Sequence, residues 1–138
     1  VSHVAYSYAA QVVILNSQGT VAKVIAAHDV GKAINPTLLE GQIEGGVVMG
    51  LGAAFSENLL LEKGHLKSSK FGKLGIPRAQ NIPEIDIRII EVKDPFGPYG
   101  AKGIGEISLV PTAAAAANAL YQYDRKRRYE LPLKKGKR

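Results

Sequence analysis

The segment 100–106 carries the residues with the clearest chemical potential in this sequence. It reads Gly-Ala-Lys-Gly-Ile-Gly-Glu and ends on a carboxylate, Glu106, just before a predicted helix. Glycines adopt backbone conformations that other residues avoid, and they let a substrate approach without side-chain obstruction. The positive end of a helix favours the charged form of a nearby carboxylate. The loop therefore presents Glu106 as a candidate general base, with simple capping of the next helix as the structural alternative.

The sequence lacks the patterns of several other chemistries. His3, His28 and His65 are scattered without the spacing of a metal site, so we expect structural or surface roles for all three and no metal ligands. Neither a Walker-type loop, nor G-x-G-x-x-G, nor G-x-S-x-G occurs. The absence of cysteine excludes a thiol nucleophile, a disulfide and a protein-ligated iron–sulfur cluster, and it favours a cytoplasmic location.

The first half of the chain predicts a β-hairpin followed by a helix. Residues 3–15 and 21–30 are rich in Val, Ile, Tyr and Ala, and turn residues separate them. Asn35 is a typical N-cap, and the proline after it suits the first helical position. We therefore expect a helix over residues 36–56.

This helix is unusual for its glycines. The predicted buried face consists of Leu39, Ile43, Gly46, Val47, Gly50 and Ala54. Gly41 and Gly45 add two more glycines to the helix, and each of the four costs roughly 1 kcal/mol relative to alanine. Close approach of another backbone or of a ligand is expected to offset that cost.

The second half predicts shorter elements around a long loop. Residues 59–66 could form a short strand, and residues 67–83 show neither helical nor strand periodicity. Alternating charged and aliphatic residues predict a half-buried strand over 84–92. An alanine-rich helix is expected over 108–123, with Pro111 in its first turn.

Charge divides the chain into a body and a tail. Residues 125–138 hold eight Lys and Arg against Glu130 alone, a net charge of +7, whereas residues 1–124 carry −1. The basic pI of 9.6 thus belongs to the tail, which argues against a basic nucleic-acid face on the body. We expect a single α+β domain over residues 1–124, formed by the hairpin, the Gly-rich helix, further strand, the Glu106 loop and the Ala-rich helix, followed by a solvated basic tail.

Further composition signals concern the class of protein. The 138 residues contain no apolar run of membrane-spanning length and no signal-peptide pattern at the N-terminus. The sequence opens on Val1 and contains a single methionine, Met49, so we expect a fragment of a longer chain.

Three blocks of sequence together resemble the C-terminal part of the molybdenum-binding chain of the xanthine dehydrogenase and aldehyde oxidase family, the molybdenum hydroxylases. They are residues 28–36 (HDVGKAINP), residues 40–46 (EGQIEGG) with 49–52 (MGLG), and residues 97–111 with their KGIGE core. The resemblance extends over about residues 4–123. Among members of the family, the chain is most similar to bacterial xanthine dehydrogenases, including selenium-dependent ones.

The resemblance implies a molybdenum–pterin cofactor, in the plain or the cytosine dinucleotide form, held mainly by other segments of a longer chain. Glu106 matches the family's catalytic glutamate, a general base. Gln42 matches a glutamine that reaches toward the pterin, and Gly103 and Gly105 would shape the loop beside the cofactor. FAD and iron–sulfur clusters are expected on other segments or subunits, and the metal is expected to take its ligands from the cofactor and not from this chain.

Two neighbouring residues are assigned less active roles. For Lys102 we expect a surface lysine, with a phosphate partner or a structural partner as alternatives. Met49 is expected in the core and not as a ligand.

Three hypotheses of function follow. The first is a fragment of a molybdenum hydroxylase, inactive alone, that hydroxylates a carbon of a purine such as xanthine, or of a similar N-heterocycle, with water as the oxygen source. The second is a non-catalytic basic adaptor whose tail binds nucleic acid or an acidic partner. The third is an aldehyde- or nicotinate-type hydroxylase of the same family.

Overall fold

A three-stranded sheet with two helices forms the body of the protein in the computed structural model, which describes residues 5–68 and 70–134. His3 lies outside the described residues. The elements are β1 (Ala9–Leu15), β2 (Val21–Asp29), α1 (Pro36–Phe55), β3 (Leu61–Glu62), β4 (His65–Leu66), β5 (Glu84–Ile90) and α2 (Thr112–Asp124).

The central strand of the sheet is β2, which pairs with β1 on one side and with β5 on the other. The β1–β2 pair is the predicted antiparallel hairpin, in which Val13 lies opposite Val24. The β2–β5 pair is parallel, and Val24 lies opposite Ile85. Parallel neighbours need a long crossover connection, and here α1 and the segment 56–83 provide it.

Helix α1 begins and ends close to the predicted residues. The Asn35 side chain accepts a hydrogen bond from the Leu38 N–H at 3.1 Å, and Pro36 occupies the first turn. The helix ends at Phe55, and the Ser56 N–H donates to the Gly52 carbonyl at 2.9 Å. Local capping chemistry therefore explains both ends of the element.

Both helices pack on one face of the sheet, where α2 lies against β1 and α1 lies between α2 and β5. The predicted α+β class is confirmed. No helix within the described ranges is long and apolar enough to cross a membrane. The buried apolar residues between the sheet and the helices are Val13, Val24, Ala26, Val30, Ile43, Val47, Leu51, Ala54, Ala116, Leu120 and Leu133.

Two of the five glycines in α1 allow close contact with the start of α2. A Cβ at Gly46 would collide with the Ser108 hydroxyl, and a Cβ at Gly50 would lie 2.5 Å from the Thr112 Cβ. Gly41 and Gly45 differ, because a Cβ at either position would meet no described atom within 4 Å. The predicted close approach thus accounts for one pair of glycines within this chain.

Two predicted elements differ from the structure. Residues 59–66 do not form one strand, because Lys63 and Gly64 adopt positive φ values of 50° and 82° and turn the chain between β3 and β4. Helix α2 begins at Thr112, and not at residue 108. Successive turns precede it, in which the Leu109 N–H donates to the Glu106 carbonyl at 3.3 Å.

The predicted tail is not wholly solvated. Leu133 is buried in the core, and its N–H donates to the Ala54 carbonyl at 2.6 Å. Arg128 forms an ion pair with Asp124 in which both side chains are buried, although the adaptor hypothesis assigned Arg128 to partner binding. The expectation of free charge along the tail fails at these positions, because an apolar anchor and a buried carboxylate lie within reach.

Candidate active site

The loop that carries Glu106 is fixed first at residue 100. The Gly100 carbonyl accepts hydrogen bonds from the Lys32 N–H at 2.8 Å and from the Asp94 N–H at 3.0 Å. Gly100 itself has a φ of 81°, a left-handed conformation that favours glycine. This point of the loop is therefore bound to the ends of both β2 and β5.

A buried ion pair fixes the loop again two residues later. The Lys102 Nζ lies 2.6 Å from Asp29 Oδ2, and the two side chains are only 8% and 5% exposed. The other carboxylate oxygen, Asp29 Oδ1, accepts from the N–H groups of Gly31 at 3.0 Å and Val92 at 3.3 Å. One aspartate at the end of β2 thus joins three segments of the chain.

The electrostatics of Asp29 follow from this arrangement. Burial alone would raise the pKa of its carboxyl, but the Lys102 ammonium and the N–H groups of Gly31 and Val92 outweigh burial and lower the pKa below its ordinary value. The carboxylate therefore stays charged wherever the protein is folded at neutral pH.

Gly31 makes the close approach of the loop possible. Its φ is 67°, and a Cβ there would lie 2.8 Å from the Lys102 nitrogen. The Lys102 N–H donates to the Val30 carbonyl at 3.1 Å. Because backbone meets backbone at this point, any side chain at residue 31 would force the loop outward.

A polar cluster holds the other side of the loop, beyond Glu106. Gln11 Nε2 donates to the Ser108 carbonyl at 2.7 Å and lies 3.2 Å from His28 Nε2. The Thr112 hydroxyl donates to Gln11 Oε1 at 2.8 Å. Burial lowers the pKa of His28, so the imidazole is neutral at pH 7. Strand β1 thereby fixes residue 108, two residues after the candidate base.

Between these two anchors the loop is open. The Gln42 amide donates to the Gly105 carbonyl at 2.6 Å, which links α1 to the residue beside Glu106. A Cβ at Gly103 or Gly105 would meet no described atom within 4 Å. The Glu106 side chain is exposed, and it has no hydrogen bond or ion pair within residues 5–68 and 70–134.

The predicted site residues therefore meet at one place. The structure brings Gln42, Gly105 and Glu106 together, with Gly103 in the same loop. The predicted position of Glu106 at a helix N-terminus is wrong, because α2 begins six residues later and the described residues provide no capping contact for its carboxylate. A cavity of about 490 Å³, lined by the β1–β2 turn, α1 and the segment 72–83, does not include Glu106.

Two neighbouring predictions are corrected. Lys102 is a buried structural partner of Asp29 and not a surface lysine. Met49 is 54% exposed and lies outside the core, because it faces away from α2 and the sheet. Of the remaining histidines, His65 is exposed in β4.

Asp29 and Gln11 were missed by the sequence analysis. Their contacts with the Glu106 loop join residues 97 positions apart for Gln11 and Ser108 and 73 apart for Asp29 and Lys102, so no local spacing reveals them. Polarity gave a signal for Gln11, which is the one hydrophilic residue of β1, but not for Asp29, because β2 also contains Lys23 and His28. Within the described residues there is no group of three or more His, Cys, Asp or Glu that could hold a metal ion.

Comparison with known proteins defines the class to which this scaffold belongs. The family model described as molybdopterin cofactor-binding domain matches residues 2–83. Because this match covers more than half of the chain, the chain belongs to that family. The matched range ends before Glu106, so the role of that residue is not assigned by the match.

Three named relatives show which kinds of enzyme in the family this chain is similar to. The chain is 32% identical over 103 residues to the putative xanthine dehydrogenase molybdenum-binding subunit of Escherichia coli, covering 73% of this chain and 14% of the relative. It is 40% identical over 101 residues to the nicotine 6-hydroxylase large subunit of Paenarthrobacter nicotinovorans, covering 72% and 12%. The aldehyde oxidoreductase structure from Desulfovibrio gigas superposes with a TM-score of 0.74 at 32% identity, covering 86% and 13%.

These relatives confirm the resemblance to molybdenum-binding chains of the xanthine dehydrogenase and aldehyde oxidase family. The chain spans about an eighth of the length of each relative. It is therefore similar to one portion of those enzymes.

Proposed function

We propose that this chain is the portion of a molybdenum hydroxylase that supplies the general base, Glu106, for hydroxylation of a carbon in a purine or similar N-heterocycle, with water as the oxygen source. One observation carries the proposal. The Glu106 carboxylate is exposed and has no partner among the described residues, although the loop on either side of it is firmly bound.

The residues present fit a molybdenum–pterin cofactor bound beside the loop. The described chain offers no cluster of metal-binding side chains, which suits a metal ligated by the cofactor's own sulfur atoms. The open faces of Gly103 and Gly105 leave space for a large group, and the exposed Gln42 is bound to Gly105 through its amide. When bound, the cofactor supplies the two-electron oxidation.

The chain's own groups then have distinct tasks. A Glu106 carboxylate oxygen takes up the proton released as the substrate carbon is hydroxylated. Gln42 holds the Gly105 carbonyl and thereby orients the residue before the base. Gly103 and Gly105 keep side chains away from the reacting groups. General-base catalysis of this kind contributes about 10²- to 10⁴-fold to a rate.

The remaining assignments extend this proposal beyond the chain. We infer that the rest of the molybdenum-binding chain supplies most cofactor contacts, that FAD and iron–sulfur clusters lie on other segments or subunits, and that the enzyme is cytoplasmic. Purines are the proposed substrates. Aldehydes, nicotinate-like rings and the cytosine dinucleotide form of the cofactor are the alternatives to be distinguished by substrate profiling and cofactor extraction.

The experiment that tests the base is Glu106→Gln in the full-length enzyme. The amide keeps the shape of the side chain but cannot accept the proton, so kcat should fall by about 10³-fold or more. Molybdenum content and thermal unfolding should match the wild type. Glu40→Gln, at an exposed glutamate on α1, is the matched control and should keep full activity. A Glu106→Gln enzyme within about twofold of wild-type kcat would exclude the proposed role.

A further inference from the structure

The Asp29–Lys102 ion pair is much more buried than the other ion pair beside the Glu106 loop. Its side chains are 5% and 8% exposed, whereas the nearby Lys32–Glu91 pair, 3.0 Å apart, is 46% and 41% exposed. Burying two charges costs much of what their attraction returns, so a buried ion pair is weak evidence for a role in stability. In some proteins such pairs fix one arrangement of the chain.

The arrangement fixed here is that of the Glu106 loop. Lys102 lies four residues before the base, and Asp29 binds it to the ends of β2 and β5 through Gly31 and Val92. No backbone N–H from residues 103–106 donates to another backbone group in the described structure. The position of Glu106 therefore depends on the points where the loop is held, at residues 102 and 105 before it and at residue 108 after it.

The hydrogen bonds of the pair also restrict the orientation of residue 102. Both oxygens of the Asp29 carboxylate are engaged, so the side chain cannot rotate without losing a hydrogen bond. The Lys102 backbone is held at the same time through its N–H to the Val30 carbonyl at 3.1 Å. Side chain and main chain thus fix residue 102 together, which restricts both its place and its orientation.

We propose that Asp29 and Lys102 are positioning residues for catalysis: their ion pair sets the place of the Glu106 carboxylate, and neither residue touches substrate. This inference rests on the proposed function of Glu106. Misplacement of a catalytic group by about 1 Å can cost about 100-fold in rate. Loss of the pair should therefore lower kcat while leaving substrate binding largely unchanged.

The test uses the full-length enzyme with the double variant Asp29→Asn/Lys102→Met. Removing both charges avoids an unpaired buried charge, which would itself destabilise the fold. The expected result is a kcat lower by about 100-fold, with KM within about twofold and unchanged molybdenum content. Lys102→Arg, which keeps the charge beside Asp29 but changes its shape, should lower kcat less than the double variant does.

A second readout does not depend on activity. The Leu109 N–H donates to the Glu106 carbonyl, so its hydrogen exchange reports the position of the Glu106 backbone. In the double variant this amide and that of Lys102 should exchange about tenfold faster, while the Val24 amide in β2 keeps its protection. Lys32→Met, which removes the exposed pair, is the matched control and should change neither exchange nor kcat.

Two results would overturn the inference. One is wild-type kcat and wild-type Leu109 exchange in the double variant. The other is equally accelerated exchange in β2 and α2, which would show a merely structural role. Glu106→Gln measured in parallel separates the two proposals: full activity there rejects the base, while the exchange data still decide whether the pair holds the loop.

Discussion

Both faces of α1 carry glycines, which are tightly packed on one face and open on the other. Toward α2, Gly46 and Gly50 lie against Ser108 and Thr112 with no space for a methyl group. On the outer face, a Cβ at Gly41 or Gly45 would meet no described atom within 4 Å, and Met49 and Leu38 are exposed. One pair of glycines is thus explained inside this chain. The other pair has no such contact within the described residues, although glycine in an exposed helix is unfavourable.

The residues on its two faces also indicate the surroundings in which α1 is stable. A helix that is apolar on all sides is usually buried on all sides. The outer face of α1 carries Leu38, Gly41, Gly45 and Met49 beside Gln42, the residue that contacts the Glu106 loop. The open face and the candidate site are therefore continuous, as expected if one bound neighbour covers both.

The largest predicted effect is a loss of stability on the face of α1 that packs against α2. Gly50→Ala places a Cβ 2.5 Å from the Thr112 Cβ and 2.6 Å from its hydroxyl, so the start of α2 must move. Overpacking of this kind costs about 3 kcal/mol of unfolding free energy. Urea unfolding of the 138-residue chain measures the loss. Equal stability of Gly50→Ala and wild type would contradict the described helix contact.

The next effect is the pH dependence of stability, which depends on the buried His28 between the sheet and α2. Burial lowers the pKa of His28 in the folded chain, so the unfolded chain binds more protons as the pH falls below about 6.5. Stability should therefore decrease with falling pH, by up to about 1.4 kcal/mol per pH unit. Unfolding curves between pH 7.5 and 5.5 test this. His28→Gln should flatten the dependence, and His65→Gln, at an exposed site, should leave it unchanged.

On the outer face of α1 we predict a smaller effect, which is a gain in stability. Gly45→Ala meets no atom and removes the backbone entropy cost of glycine, so the 138-residue chain should gain about 0.5–1 kcal/mol. In the full-length enzyme the same change should weaken cofactor retention, if the neighbour approaches the helix closely. A gain in stability together with full cofactor content would show that the outer glycines serve no contact.

The smallest effect is expected at Met49. Because its side chain is 54% exposed, Met49→Lys should change the unfolding free energy of the chain by less than about 0.5 kcal/mol. Val47→Lys, at a fully buried position two residues away, is the contrasting variant and should prevent folding. Strong destabilisation by Met49→Lys would mean that the outer face is already covered within the chain.

Local chemistry made much of the fold predictable. The Asn35 cap and its proline determine the start of α1, and alternation of aliphatic residues indicates β5. The parallel pairing of β2 with β5 was not predictable, because partners such as Val24 and Ile85 are separated by 61 residues and no turn specifies them. The turn at Lys63 and Gly64 was missed although Gly64 is a turn residue, because a lysine at positive φ carries no sequence signal beside it.

The candidate site was predictable only in part. Its glycines and carboxylate identify the Glu106 loop directly, whereas Gln42 was found only through the family resemblance. Asp29 lies within a block that carries the resemblance, but its role was not assigned, because that role depends on a lysine 73 positions later and on the N–H of Val92. Residues that carry a reaction can be recognised by type, but the residues that hold them in place are defined by the tertiary fold.

The burial of Leu133 restricts how the basic C-terminal segment can be studied. Deleting everything after Asp124 would remove a side chain that fills the space beside Ala54, together with the guanidinium that neutralises Asp124. Loss of binding in such a deletion would report damage to the interior as readily as loss of charge. Replacement of the exposed Lys126 and Lys134 by glutamine alters the electrostatic field and leaves the interior intact.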